Sequence, residues 1–289
     1  MNTAENFTLD VAINKRPAGG ASIAPPAKGK LTVQRFIIPY RIYGSGEFTL
    51  VFINGVQQSM AMWHSFVRRF SGSYKIVLFD LPNQGAARIV AGEAHLSLDE
   101  QVDILAAVID ATCRLVRPTI CSASWGGVIA MAYAVRHPQR VKSLILASMG
   151  TRANQTMIEL ISKGLQGPVK DPMEVAETLI ESIGPNLPGA MKSKILSQFQ
   201  HMGTEAFEAF MRHGSTVLSV RELAKVVDVS KVQCKATLLH GENDTIVDFD
   251  DVRYLAAQLP RSELRMIKNV GHFLHLEKEE LLDVYEEIL

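Results

Sequence analysis

The sequence is poor in the residues that would tie it to a metal, a membrane or nucleic acid. It has three cysteines, Cys113, Cys121 and Cys234, in 289 residues. No two form a CxxC pair and none has a histidine at zinc-ligand spacing, so neither a structural metal nor a disulfide framework is expected. An odd, scattered set reads as buried thiols in a reducing compartment. No apolar run approaches the ~20 residues of a membrane helix. The first residues, Met1-Asn-Thr-Ala-Glu-Asn-Phe7, lack the basic start and apolar stretch of a secretory signal. The expectation is a cytoplasmic protein with no membrane span. An excess of charge is missing too: 30 basic residues balance 30 acidic ones, which removes the electrostatic reason to expect a nucleic-acid partner. What is abundant is apolar side chains, 47% of the chain, enough for a large core.

Residues 1–30 read as a flexible leader, because Pro17-Ala-Gly-Gly20 and Pro25-Pro26 sit in a stretch without apolar periodicity. Strand patterns then run over Leu31–Ile38, Tyr40–Tyr43, Phe48–Ile53 and Lys75–Phe79. A helix is expected over Met60–Phe70. Ser97-Leu-Asp-Glu100 has capping-box spacing, which predicts a helix start. Thr119–Ala123 reads as a strand, Trp125–Arg136 as a helix and Val141–Ala147 as a strand. The strands are almost wholly apolar, as a parallel sheet covered on both faces requires. After Gly150 the alternation gives way to helical patterning. It resumes with strands at Ala236–Leu239 and Leu264–Ile267, a helix near Phe249–Leu259 and a closing helix from Glu277. The expected fold is α/β: a mostly parallel, doubly wound sheet with a helical lid inserted after the strand ending near Ala147. The expected division is a core of 31–150 and 229–289 and a lid of 151–228.

Ser122-Ala-Ser-Trp-Gly-Gly127 joins a strand to a helix. A serine hydroxyl is a weak nucleophile until a neighbour takes its proton. A sharp strand-to-helix turn projects Ser124 above the sheet and aims the helix start at a developing oxyanion. Small flanking residues are needed, and Ser122 and Gly126 supply them, Ser122 in place of the usual glycine. A phosphate loop would want more glycines and a lysine. Serine catalysis on such a sheet has the chain order Ser, acid, His. His240-Gly-Glu-Asn-Asp244 follows a late strand and offers Asp244 as the acid, with Glu242 and Asp248 as rivals. Asn269-Val-Gly-His272 follows the last strand and offers His272 as the base, with His275 as its rival; His64, His137, His201 and His240 fit structural or pocket roles. Cys121 falls inside an apolar strand and reads as a packed thiol. Two backbone N–H groups should hold the oxyanion, that of Trp125 and that of Val56 after Asn54-Gly55. The pattern calls for no cofactor and no metal.

Asn54-Gly55, Ile76-Val-Leu-Phe-Asp-Leu-Pro82, Ser122-Ala-Ser-Trp-Gly-Gly127, Gln200-His-Met202 and Gly271-His-Phe-Leu274 together carry a resemblance. The chain after Leu31 resembles the α/β-hydrolase superfamily. Within it, these stretches resemble a bacterial group that makes hydroxyalkanoyloxy-alkanoate esters for rhamnolipids or moves 3-hydroxyacyl groups from carrier protein to CoA. Gly85-Ala86-Ala87 departs from the Gly-x-Ser of relatives. The resemblance implies the triad Ser124, Asp244, His272 and a 3-hydroxyacyl thioester substrate. It further implies an acyl-serine intermediate and an acyl carrier protein as a partner. Water in place of the acceptor would make the same triad an esterase or thioesterase. A non-catalytic receptor on this fold is the contrasting class, though such receptors often lose a triad member. Asn54, Gly55, His201, Met202 and Met149 are the candidate substrate contacts. Met149, Met157, Met173, Met191, Met202 and Met211 suit a pocket for a long acyl chain, or ordinary helix packing. Lys163, Lys170, Lys192, Lys194 and Arg212 fit docking of an acidic carrier protein or CoA phosphates, or a solvated helix face.

Overall fold

The computed structural model describes residues 24–93, 95–165, 171–220 and 222–289. Most of the expected leader, 1–23, lies outside the described residues. The chain enters through an antiparallel hairpin, β1 (Ala27–Val33) and β2 (Phe36–Tyr43). Next come β3 (Phe48–Ile53), a 3₁₀ turn at Met60–Trp63 and α1 (His64–Phe70). Then follow β4 (Tyr74–Phe79), a short β5 (Arg88–Ile89), α2 (Leu98–Thr112), β6 (Thr119–Ala123), α3 (Trp125–Arg136) and β7 (Ser143–Ala147). The helices α4 (Gln155–Leu165), α5 (Pro172–Ser182), α6 (Gly189–Gln200) and α7 (Thr204–Ser219) are inserted here. The chain closes with β8 (Lys235–Gly241), α8 (Phe249–Gln258), β9 (Ser262–Ile267), α9 (Leu274–Glu277) and α10 (Leu281–Ile288). One sheet runs β1-β2-β4-β3-β6-β7-β8-β9, with β5 beside β2. From β4 to β9 the neighbours are parallel, and β2 is antiparallel to both β1 and β4. This is the α/β-hydrolase fold.

The apolar strands explain the layering, because successive side chains leave a strand on opposite faces. Val51 and Ile53 of β3, Ile120 of β6 and Leu144 and Leu146 of β7 enter one core with α2, α3 and α8. Leu50 and Phe52, Cys121, and Ile145 and Ala147 enter the other, against α1 and α10. Both halves of the Ser97 capping box form at the start of α2.

Three boundaries differ from the sequence-based expectation. The Leu31–Ile38 strand is broken by a turn at Gln34-Arg35, and β2 continues through Pro39. Gln34 takes the left-handed region at φ 50, and Arg35 is drawn out of the strand to pair with Glu100 at 2.9 Å. β1 also begins at Ala27, inside the segment expected to be leader. The closing helix is two helices, since Lys278 between α9 and α10 is extended.

The insertion packs differently. Its own cluster centres on Ala176, Phe199 and Phe207. Its two ends meet where the Leu223 N–H donates to the Thr151 carbonyl at 2.7 Å. Asp251 of α8 ties that point to the core, accepting from the N–H groups of Thr151 (2.6 Å) and Arg152 (3.2 Å) and from the Thr151 hydroxyl.

Candidate active site

Ser124 sits between β6 and α3 at φ 49 and ψ −121. A non-glycine residue there is strained by about 1–3 kcal/mol, and such strain persists only where the surroundings enforce it. The Ser124 N–H donates to Ala147 O at 2.8 Å, and the Gly127 N–H donates back to Ser124 O at 2.8 Å. A Cβ on Gly126 would lie 2.7 Å from Asn54 O, and one on Gly127 would lie 2.1 Å from Met149 Sδ. Backbone on the opposite side demands the glycine at 126, whereas at 127 the neighbour is the flexible Met149 side chain. Ser122 is accommodated in place of glycine because its buried hydroxyl donates to Ile145 O.

Asp244 and His272 come together from the ends of β8 and β9. His272 Nδ1 lies 2.8 Å from Asp244 Oδ2, and the two side chains are 5% and 0% exposed. Asp244 Oδ1 accepts the N–H groups of Ile246 (3.0 Å) and Val247 (3.1 Å). Burial is the largest single influence on Asp244 and would raise its pKa. The charge of His272, its hydrogen bond and the Ile246 N–H together outweigh burial and hold the carboxyl below its ordinary value. A charged Asp244 fixes the proton on His272 Nδ1 and leaves Nε2 as the basic nitrogen. The rivals are engaged elsewhere. Glu242 accepts from the Asn269 N–H and Asp248 from Asn154 Nδ2. His275 stacks on Trp63 at 4.9 Å and contacts Met62 O, and burial lowers its pKa to about 4. Burial pushes the Cys121 thiol up, which removes the reactive thiolate.

Several supporting groups have no signature in the sequence. Ser148, at φ 53, donates its hydroxyl to His272 O at 2.6 Å. Glu277 accepts from the N–H groups of Gly271 (2.6 Å) and Phe273 (3.0 Å), clasping the loop that carries His272. The Ser148 contact bridges elements 124 residues apart, whereas Glu277 acts locally, reaching back over the start of its own helix.

The two candidate oxyanion donors, Trp125 and Val56, each line a cavity that Ser124 also lines. Trp125 is anchored by its indole N–H, which donates to Gln101 Oε1 at 2.8 Å. Val56 follows a braced turn. The Gly55 N–H donates to Gln58 Oε1 at 2.8 Å, and Gln84 Nε2 donates to Gly55 O at 2.6 Å. Asn54 is not on a cavity wall. It is 1% exposed; its Oδ1 accepts from Trp63 Nε1 at 2.8 Å and its Nδ2 donates to Gln84 Oε1 at 3.2 Å. Its role is to hold the loop, as is that of Gly55, so the expected substrate contact is corrected for both.

Two cavities meet at Ser124 and His272. The larger, about 470 Å³, extends under α4–α7 and is walled by Val56, Leu179, Ile195, Phe199, Phe210 and four methionines of the insertion, Met157, Met191, Met202 and Met211. Glu174 and Lys194 are its charged side chains. The smaller, about 60 Å³, has Met149, Arg152 and Val220 on its wall. Met202 and Met149 thus face the site. His201 does not: it is exposed just past the end of α6, with its ring nitrogen against Ser197 O. Lys192 contacts Pro185 O and Arg212 pairs with Glu208. Lys170 and the side chain of Lys163 lie outside the described residues.

Comparison with known proteins places this geometry. The family model described as the alpha/beta hydrolase family matches residues 50–284. The chain belongs to that family. It is 24% identical over 249 residues to an (R)-3-hydroxydecanoyl-ACP:CoA transacylase of Ectopseudomonas oleovorans, covering 83% of each chain. It is also 24% identical over 290 residues to a 2-hydroxy-6-oxononadienedioate/2-hydroxy-6-oxononatrienedioate hydrolase of Pseudomonas putida, covering 95% of this chain and 96% of the relative. Among solved structures, a 2-hydroxy-6-oxo-6-phenylhexa-2,4-dienoate hydrolase from a Rhodococcus superposes with a TM-score of 0.77 at 16% identity, over 92% of this chain and 99% of that one. The alpha/beta hydrolase relatives therefore include both a transferase and hydrolases.

Proposed function

We propose that the protein is a serine-dependent acyltransferase acting on 3-hydroxyacyl thioesters, with Ser124 as nucleophile, His272 as base and Asp244 as its orienting acid. The observation that carries the reading is the 470 Å³ apolar cavity that ends on Ser124 and His272. A volume in the ordinary ligand range, lined by flexible thioethers and few polar groups, suits an acyl chain. The transacylases among the relatives support the thioester chemistry.

In this reading 151–228 is a lid over a core of 31–150 and 229–289. His272 Nε2 takes the Ser124 proton as Oγ attacks the thioester carbonyl. The Val56 and Trp125 N–H groups hold the tetrahedral oxyanion. Asp244 stabilises the imidazolium, which then protonates the departing thiol. The acyl group remains on Ser124 Oγ. An acceptor, the hydroxyl of a second 3-hydroxyacyl chain or a pantetheine thiol, attacks with His272 again as base. The donor is carried by an acyl carrier protein or CoA, and Lys194 on the cavity wall is the candidate cation for its phosphate. Hydrolysis of an ester or thioester by the same triad is the second reading, supported by the relatives named as hydrolases.

The test is incubation of the purified protein with 3-hydroxydecanoyl-CoA and with the carrier-protein form, with products resolved by mass spectrometry. Ester dimer or exchanged thioester is the expected product. Free hydroxy acid alone contradicts the transferase reading in favour of the hydrolase.

A further inference from the structure

The insertion reaches the turn that carries Val56. The N–H of Gln57 donates to Nδ1 of His213 on α7 at 3.1 Å, and the Gln57 side-chain Nε2 donates to Phe210 O on the same helix at 2.9 Å. Gln57 is held in the left-handed region at φ 60, a conformation that residues with a side chain adopt infrequently. The approach is close: a Cβ on Gly214 would lie 2.6 Å from Gln57 Nε2. His213 is 5% exposed, and burial lowers its pKa to about 4. The ring is therefore neutral, with its proton on Nε2 and its Nδ1 lone pair turned to the loop. Simple packing would be met by a leucine. A buried imidazole accepting from a backbone N–H 156 residues away is a specific link between two elements. The same helix gives Phe210, Met211 and Gly214 to the wall of the large cavity.

We propose that His213 is a positioning residue: it fixes the peptide between Val56 and Gln57 and so keeps the Val56 N–H aimed at the oxyanion while α7 is docked. This rests on the reading of Val56 as an oxyanion donor to a Ser124 adduct. The helix that meets the acyl chain is then the helix that sets the oxyanion loop, so a displaced α7 leaves a site that binds but turns over slowly.

His213→Leu removes the acceptor and keeps the bulk. His213→Asn puts an oxygen near the position of Nδ1 and restores it. The two are compared with wild type for kcat and KM on a medium-chain p-nitrophenyl ester, and for inactivation by a p-nitrophenyl alkylphosphonate, whose tetrahedral adduct carries an oxygen in the oxyanion position. His213→Leu is expected to lower kcat and phosphonylation rate together, by about 10–100-fold, with KM changed less than about threefold. His213→Asn is expected to recover kcat to within about threefold of wild type. His213→Phe, which keeps a ring in place and removes the acceptor, is expected to lower kcat in the same direction, and it carries the test if His213→Leu does not fold. The proposal is overturned if kcat survives in His213→Leu or in His213→Phe, if Asn is as impaired as Leu, or if the loss falls wholly in KM. Failure of Ser124 as the nucleophile is separate, since ester turnover would then survive Ser124→Ala.

Discussion

The sheet core and the helical insertion are built to different standards of packing. α3, behind Ser124, buries ten of its residues. By contrast, α5 and α6 bury one each, Ala176 and Phe199. Residues with few buried neighbours open at low free-energy cost, and binding elements are drawn from that end of the stability range. The triad candidates sit on the well-packed half, at strand ends and on hydrogen-bonded turns. The cavity wall sits on the loosely packed half. On the proposed function, the difference separates two jobs, rigid placement of reacting groups and adaptable enclosure of an acyl chain.

The comparison breaks first at Ser124. Ser124→Ala should abolish turnover by about four to six orders of magnitude while the far-ultraviolet circular dichroism stays that of wild type, because chemistry and folding use different atoms there. Retained activity would remove the reason for regarding the rigid half as catalytic.

A second contrast concerns stability. Phe66 is fully buried and meets Phe52, Trp63, His275 and Tyr285 at ring distances of 4.6–5.2 Å. Phe66→Ala should lower the unfolding free energy by about 3–5 kcal/mol, measured by urea titration. Phe199→Ala in the insertion should cost about 1–2 kcal/mol, since few buried groups depend on it. Equal losses would mean that the insertion is part of one cooperative core.

The third contrast uses pH. Asp244 has its folded pKa below the unfolded value of about 3.9. Its stabilising contribution is therefore complete above that unfolded value and is lost as pH falls through the lower folded one. Asp244→Asn removes this component. Its stability should vary less than wild type between about pH 5 and pH 2, while its turnover falls by about four orders of magnitude.

The smallest effect is expected at Ile195, on the cavity wall. Ile195→Trp should shift preference toward shorter acyl chains by about tenfold in kcat/KM, with the melting temperature little changed. An unchanged chain-length profile would mean that the 470 Å³ space is not where the acyl chain lies.

How much of this is legible in the sequence follows the same divide. The core is readable because β3, β6 and β7 are mostly apolar and carry no charge, and the Ser122–Gly127 turn has a local reason for its small residues. Asp244 and His272 stand out by chain order, each just past a late strand. The hairpin turn at Gln34-Arg35 is not legible, because neither residue carries the glycine or asparagine signal of a left-handed turn. Asn54 reads as a substrate contact beside the oxyanion loop, but its amide is consumed by Trp63 and Gln84. His201 reads as a pocket residue beside Met202, but its ring lies exposed against Ser197 O of α6. Ser148 and His213 act across elements, and nothing in their local sequence marks them.

The central claim is that the acyl group passes through Ser124 Oγ. The most direct measurement is intact-protein mass spectrometry of the protein mixed with 3-hydroxydecanoyl-CoA and quenched in acid before turnover is complete, followed by peptide mapping. The account predicts one added 3-hydroxydecanoyl group, located on the peptide carrying Ser124 and absent from Ser124→Ala. An adduct that persists in Ser124→Ala, or one that maps to Cys121, would contradict it.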